Sequence, residues 1–305
     1  MSIPVVLNAL LLLSGSAQQA DGIDWSGASV VQSSEPCSDQ GGSALATFED
    51  EHLEMAVRSA LSVGERVELT CGRVSELLSL VAKGAEIENL NGIQNLTGLE
   101  HLDLWDNAIT DIGALAGLTS LAWLDLGNNS IADLSALGGL TNLTLLRIRE
   151  NEIADIGDIG GLTQLTDLDI SYNNINDIRA LSGLASLTTL RVYNNPITDI
   201  DAMSGLTRLS ELHVHDLPDL ATIQPLVENT GLGRGDRVIL MRSHVPCSDV
   251  RALKDKGVSV GGCEIEFLMH WWWAVLLLAA EVVVAAVLVR RGNARRWAAL
   301  RADSI

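Results

Sequence analysis

Side chains able to do chemistry are few in this chain and unevenly placed. Among 305 residues there are 4 cysteines and 6 histidines. Cys37 and Cys71 precede a long repetitive stretch, Cys247 and Cys263 follow it, and none falls inside it. No C-x-x-C spacing occurs, so neither a zinc cluster nor a redox dithiol is expected. An even count in an exported chain instead suggests disulfides, with Cys247 joined to Cys263 and Cys37 to Cys71. His213, His215 and Asp216 form the one metal-like group. Alternate residues of a strand face the same way, so both imidazoles could meet one ion, but the sequence fixes no third ligand. No metal and no cofactor is therefore assigned. Nucleophile elbow, phosphate loop, paired-carboxylate site and His-Glu-x-x-His are all missing, so no catalytic residue is assigned and an enzyme is not expected.

The remaining chemistry is recognition. Between residues 77 and 226 the only aromatics are Trp105, Trp123, Tyr172 and Tyr193. They share one set of positions with His101, Asp103, Asp125, Arg147, Arg149, Asp169, Arg191, His213 and His215. Large aromatics and arginine dominate binding hot spots, and an aliphatic core needs neither. The competing explanation is the ordinary preference of strands for aromatics. Arg234-Gly235-Asp236 matches a cell-adhesion tripeptide, but a tight turn before a strand would contain the same residues, and a turn is the reading adopted.

A repeating frame positions these side chains. Leu99 returns at one constant interval as Leu121, Leu143, Leu165, Leu187 and Leu209. At the same interval Leu104 returns as Leu126, Ile148, Ile170, Val192 and Val214, and Asn107 as Asn129, Asn151, Asn173 and Asn195 before the series breaks at Leu217. Leu77 to Ile93 keeps the register one step upstream as a degenerate coil without the Asn. Inward Leu102 and Leu104 alternate with outward Asp103, as in a strand. The Asn residues are placed to hydrogen-bond backbone groups of the adjacent coil. Asp111, Asp133, Asp155, Asp177 and Asp199 are placed to cap a 3₁₀ segment. Gly117, Gly139, Gly161, Gly183 and Gly205 are read as serving turns with positive φ or close packing.

The spacing L-x-x-L-x-L-x-x-N at a fixed step of about 22 residues is the mark of a leucine-rich repeat. These copies resemble the bacterial, internalin-like class of such repeats. The likeness covers roughly residues 47–262. It implies a leucine-rich-repeat solenoid of the α/β class, with short parallel strands on a concave face and 3₁₀ or turn segments on the convex face. It also implies a macromolecular ligand, a protein or a glycan, without naming it. Each coil leaves an apolar edge that only a neighbour covers, so both ends need caps. Phe48 to Leu69 looks like the family's helical N-cap, with Gly64 ending its helix. The expected organisation is a signal peptide over 1–20, a linker over 21–46 and the helical N-cap over 47–76. Repeats over 77–226 and a C-terminal cap over 227–263 follow. In that last cap Ser248 or Asp249 starts a helix that Gly257 ends.

The termini place the repeats. Ile3 to Leu13 is mostly apolar and Ser14-Gly15-Ser16-Ala17 offers a cleavage site after Ala17, although the n-region has no Lys or Arg. A cut after Ala20 is the other option. Residues 267–289 are long and apolar enough to cross a bilayer as one transmembrane helix, about 34 Å. Trp271, Trp272 and Trp273 stand at one end, and the Arg-rich tail 290–305 at the other. The positive-inside rule then puts the repeats outside a cell membrane. Glu281, near the middle of the span, suits a tolerated carboxylate or a contact within a membrane complex; that second option makes an envelope scaffold the alternative function. A formal charge of −19 repels phosphate backbones, so nucleic acid is not an expected partner. Nothing in the sequence fixes an oligomeric state.

Overall fold

The computed structural model describes residues 30–37 and 41–261. The signal segment, Cys263, the membrane span and the Arg-rich tail lie outside them. Among the described residues no helix is long and apolar enough to cross a membrane.

Nine short parallel strands form one sheet in strict chain order. They are β3 (Ser79–Val81), β4 (His101–Asp103), β5 (Trp123–Asp125), β6 (Leu145–Arg147), β7 (Asp167–Asp169), β8 (Thr189–Arg191), β9 (Glu211–His213), β10 (Arg237–Ile239) and β11 (Ser259–Gly261). From β3 to β9 each pairing advances by one repeat length, Ser79 facing His101 and His101 facing Trp123. The step to β10 is longer, Glu211 facing Arg237, and the step to β11 returns to the repeat length, Arg237 facing Ser259. The central residue of every strand, from Leu80 to Val260, is buried, while its two neighbours face the open side of the sheet. Between strands the chain turns through 3₁₀ segments such as Gly113–Leu115, Gly157–Gly161 and Asp201–Gly205. Leucine and isoleucine from all coils merge into one continuous core.

Polar side chains tie coil to coil. The Asn151 carboxamide accepts from the Ile131 N–H and donates to the carbonyls of Leu126, Ile148 and Arg149. Asn129, Asn173 and Asn195 repeat that arrangement, so the buried amide and carbonyl groups of each bend are satisfied. The Asp series caps as expected: Asp111 Oδ1 accepts from the Gly113 N–H, and Asp133, Asp155, Asp177 and Asp199 do the same two residues on. A second ladder was not legible in the repeat. Thr144, Thr166, Thr188 and Ser210 each donate a hydroxyl to the carbonyl one repeat earlier, that of Ala122, Thr144, Thr166 and Thr188.

The glycine expectation is corrected. Gly117, Gly139, Gly161, Gly183 and Gly205 do not have positive φ, and Gly117, Gly161 and Gly205 have open space where a Cβ would go. The left-handed residue of each coil sits elsewhere. It is Gly84, then Asp106, Asn128, Glu150, Tyr172, Asn194 and Asp216, all with φ between 52° and 62°. That residue directly follows the last outward side chain of the strand, where the chain must leave the sheet.

The N-terminal cap also differs from expectation. Residues 30–37 and 41–46 of the expected linker belong to the cap: β1 (Val30–Val31) pairs in parallel with β2 (Leu45–Ala46), and Val31, Ala44, Leu45 and Ala46 are buried. Ala44 and Ala46 bond onward to Cys71 and Leu69. A Ser- and Gly-rich composition concealed this, because two-residue strands carry almost no periodicity. Helix α1 (Glu51–Ala60) ends at Leu61 with Ser62 left-handed, short of the expected Gly64. Asp50 starts it, accepting from His52 and Leu53 through one oxygen and from Glu88 and Asn89 of the first coil through the other. Burial raises the Asp50 pKa, but those four N–H donors outweigh it and hold the carboxyl below its ordinary value. Helix α2 (Cys71–Ser75) follows, and the expected disulfide Cys37–Cys71 is present.

At the other end α3 (Gln224–Glu228) and α4 (Cys247–Asp255) pack together. Pro246, rather than Ser248 or Asp249, precedes α4 as its cap residue; Asp249 instead accepts from Thr222. Gly257 follows α4 with φ 88°, as expected. Cys247 is disulfide-bonded; Cys263, its expected partner, is outside the described residues.

Candidate binding face

Three side-chain columns run across the open face of the sheet. The first outward position of successive strands gives His101, Trp123, Leu145, Asp167, Thr189 and Glu211. The second gives Asp103, Asp125, Arg147, Asp169, Arg191 and His213. The position two residues past each strand gives Lys83, Trp105, Gly127, Arg149, Ser171, Tyr193 and His215. All thirteen residues expected on this face are there or, for Tyr172, at its left-handed edge.

The columns assemble two aromatic clusters. In the earlier coils His101 stacks on Trp123 with ring centroids 3.9 Å apart and an 11° tilt, and the Arg147 guanidinium stands 5.8 Å from the Trp123 ring. Beside this layer Lys83 Nζ sits 4.0 Å over Trp105, a favourable cation–π arrangement. Gly127 makes room for it. A Cβ there would lie 2.9 Å from Trp105 Cδ1 and 3.2 Å from Arg149 Cγ, so the side chains of neighbouring coils converge over the glycine. The indole nitrogen of Trp105 is buried with no hydrogen-bond partner among the described residues, a cost that a purely structural position has no reason to carry.

In the later coils Tyr193 stacks on His215 at 4.2 Å and meets Tyr172 edge-on at 5.3 Å. Tyr172 is 47% exposed and left-handed, a backbone region that favours Asn, Asp or Gly over tyrosine. His213 pairs with Glu211, and His215 with Asp216, each at 2.8 Å. The two imidazoles thus turn to separate carboxylates, their centroids 6.1 Å apart. The hydrogen bond from His213 holds the Glu211 carboxyl below its ordinary pKa, and that from His215 does the same for Asp216. Among the described residues no group of three or more His, Cys, Asp or Glu is placed to hold a metal ion.

Two of the expected contact residues are not accessible. Asp125 and Asp169 are only 7% and 5% exposed. Asp125 Oδ1 accepts from the Gly127 N–H, and Asp169 Oδ1 from the N–H and hydroxyl of Ser171. They shape the strand exit and are corrected from contact to support. Asp103 makes the same backbone bond to Trp105 but stays half-buried. Arg191 is held by Asp167 at 3.0 Å, Arg147 stands 3.8 Å from Asp125, and Arg149 is 3.5 Å from Glu150.

Burial pushes the Asp125 carboxyl up; the Gly127 N–H works against that, the Asp103 charge adds to it, and Arg147 and Arg149 oppose it. A carboxyl whose folded pKa lies above its unfolded one weakens the fold as pH rises through the folded value. Asp125→Asn keeps the acceptor for Gly127. Thermal melts should therefore show a higher Tm for this variant at pH 7, with the gain disappearing below about pH 3. An equal gain at both pH values would reject the electrostatic explanation.

Leucine-rich-repeat family models match residues 97–139 and 119–161, and a further one matches residues 141–197. No curated protein matches the chain. The solved structure of internalin C2 from Listeria monocytogenes is 31% identical; the alignment covers 65% of this chain and 94% of that one, with a TM-score of 0.51. Internalin F of the same organism is 23% identical, with 70% and 91% coverage and a TM-score of 0.34. The ectodomain of the plant receptor kinase GASSHO1/SCHENGEN3 from Arabidopsis thaliana, solved in complex with CASPARIAN STRIP INTEGRITY FACTOR 2, is 21% identical. It covers 63% of this chain and 25% of that one, with a TM-score of 0.52. The class is that of leucine-rich-repeat proteins, which typically mediate protein binding or recognition and are generally non-enzymatic scaffolds. Within it, the chain belongs to the internalin-like family.

Proposed function

We propose that this chain is an exported, membrane-anchored recognition protein that binds a protein or peptide partner through the open face of its sheet. The observation that carries the reading is the placement of Trp105, Trp123, Tyr172 and Tyr193. All four lie on the open face of the sheet or at its edge, outside a core of the described residues that contains no tryptophan or tyrosine, and cationic or imidazole side chains stand beside Trp105, Trp123 and Tyr193. Trp105 and Tyr172 each sit at a local cost, through an unpartnered indole N–H and a left-handed backbone. The apolar signal segment and the span 267–289 support export and anchoring.

A protein partner suits the geometry better than a glycan. Sugars stack on exposed aromatic faces, whereas His101 lies against the face of Trp123 and His215 against that of Tyr193. With those faces engaged, the guanidinium groups and amphipathic stems beside the rings are the usual contents of a protein hot spot.

The test uses the full chain in detergent as bait for cross-linked capture of surface proteins. Trp105, Trp123, Tyr193 and Arg147 changed together to alanine should leave the circular dichroism spectrum intact and lower the recovery of the wild-type partner by about a hundredfold or more. Undiminished recovery by a folded variant would overturn the face assignment. Protease access to the repeats in intact cells tests export, and resistance to alkaline extraction tests the anchor.

A further inference from the structure

Among the described residues the sheet has an open edge at β3, and that edge lines a groove. Helix α1 forms the opposite wall. The groove encloses about 590 Å³ and is lined by Met55, Ala56 and Ala60 on the helix side and by Ser79, Val81 and Lys83 on the strand side. Met55 is 55% exposed and Val81 61%.

The backbone of β3 is half used. Leu78 and Leu80 turn their peptide groups toward β4, as in the bond from the His101 N–H to the Leu78 carbonyl and the Ala82 N–H to the Asp103 carbonyl. Parallel pairing alternates, so the N–H and C=O groups of Ser79 and Val81 point the other way, along the groove. Neither residue has a hydrogen bond on that side among the described residues. Proteins normally cover, charge or distort such an edge; here α1 and Lys83 stand beside it, yet Val81 remains accessible.

We propose that this groove takes an extended acidic peptide segment of a partner protein, added to β3 as a tenth strand. Strand addition draws its affinity from the main-chain groups of Ser79 and Val81 and its selectivity from the side chains that alternate into the groove. Small apolar side chains fit against Met55, Ala56 and Val81. The charge preference comes from the lining, which includes Lys83 and His52 but no carboxylate, in a protein of net charge −19. Lys83 makes no ion pair among the described residues; its ammonium lies over Trp105 with donors left for a carboxylate. The groove adjoins the aromatic columns at Lys83, which belongs to both; its other lining residues lie outside those columns.

The probe is the synthetic peptide acetyl-Ser-Val-Glu-Val-Glu-Val-Ser-amide, added at about 1 mM to the full chain in detergent. Amide hydrogen exchange is read by mass spectrometry over residues 78–84. Exchange of Ser79 and Val81 should slow by about fivefold, the value for a site mostly filled. The same peptide with alternate backbone nitrogens methylated should give no slowing. Lysine in place of glutamate should give less than half the effect, and Lys83→Glu should invert that preference. Three outcomes would overturn the proposal: unchanged exchange with the glutamate peptide, equal slowing by the methylated peptide, or slowing that follows protein concentration without peptide. The last would make a second copy of the chain the occupant.

Discussion

Gly231→Ala is expected to cost about 3 kcal/mol or more, because the added methyl has nowhere to go. Its Cβ would stand 1.8 Å from the carbonyl oxygen of Thr207 and 2.4 Å from the carbonyl carbon, both backbone atoms. This is where the sheet makes its single longer step, and the chain crosses the preceding turn at contact distance. The crossing is fixed on both sides. Buried Asn229 accepts from the N–H groups of Gly231 and Leu232 and donates to the carbonyls of Met203 and Leu206. Lys256 then donates to the carbonyls of Val227 and Asn229. Backbone held this tightly cannot retreat, so the C-terminal cap must lift off the last coil. Denaturant unfolding should show a lower midpoint, with the cap losing amide protection first. Gly117→Ala is the matched control, since nothing lies within 4 Å of its Cβ and its φ is not positive. Its stability should change by less than about 0.5 kcal/mol. Similar losses in both variants would show that the close approach at Thr207 does not exist.

Asn151→Ala is the second large effect, expected to cost about 3 kcal/mol. Four hydrogen bonds disappear, and the Ile131 N–H is left buried without a partner, while the Leu126 carbonyl keeps the Asn129 amide. Each such orphan costs about 1–3 kcal/mol, whereas the net worth of a satisfied bond is nearer the bottom of that range. Asn151→Asp tests the polarity of the joint. It keeps the acceptor for Ile131 but puts an anion against the carbonyls of Leu126, Ile148 and Arg149. It should be at least as damaging at pH 7 and recover partly in acid, where a protonated carboxyl again donates. A cost below about 0.5 kcal/mol for the alanine variant would mean that the ladder contributes little beyond its shape.

The repeat told most of the fold because each of its letters has a local physical reason. Leu102 is inward, Asn107 satisfies the bend and Asp111 caps the next turn, so a constant step copied through the chain already implies the sheet. What stayed hidden depends on single residues or on distant partners. Val31 beside Ala46 has no periodicity to announce it. The left-handed place of each coil is filled by Gly, Asp, Asn, Glu and Tyr in turn, and a position with no constant letter is invisible to a repeat search. Gly117 and its successors looked constrained because they recur, yet they have room to spare.

The candidate face was legible in position and not in accessibility. Spacing put Asp125 and Arg147 in one column with equal standing. What separates them is the neighbouring coil: Asp125 turns back to its own backbone under the convergence of Trp105 and Arg149, while Arg147 stays half-buried beside the Trp123 ring. Lys83 was missed because it sits in the degenerate coil that lacks Asn. The repeat itself gives the signal that could have found it, since Lys83 lies one repeat length before Trp105.

The asparagine joints point one way along the chain, each coil being gripped by the asparagine of the coil after it. Every interior joint therefore presents the same socket and the same plug. Excising residues 143–164, one whole unit, would bring Leu165 behind Leu140-Thr141-Asn142 and set Asn173 against the carbonyl of Leu126, a match as good as the one removed. Length is thus a free variable of this architecture. The span between the two aromatic clusters is set by how many interchangeable units happen to lie between Trp123 and Tyr172.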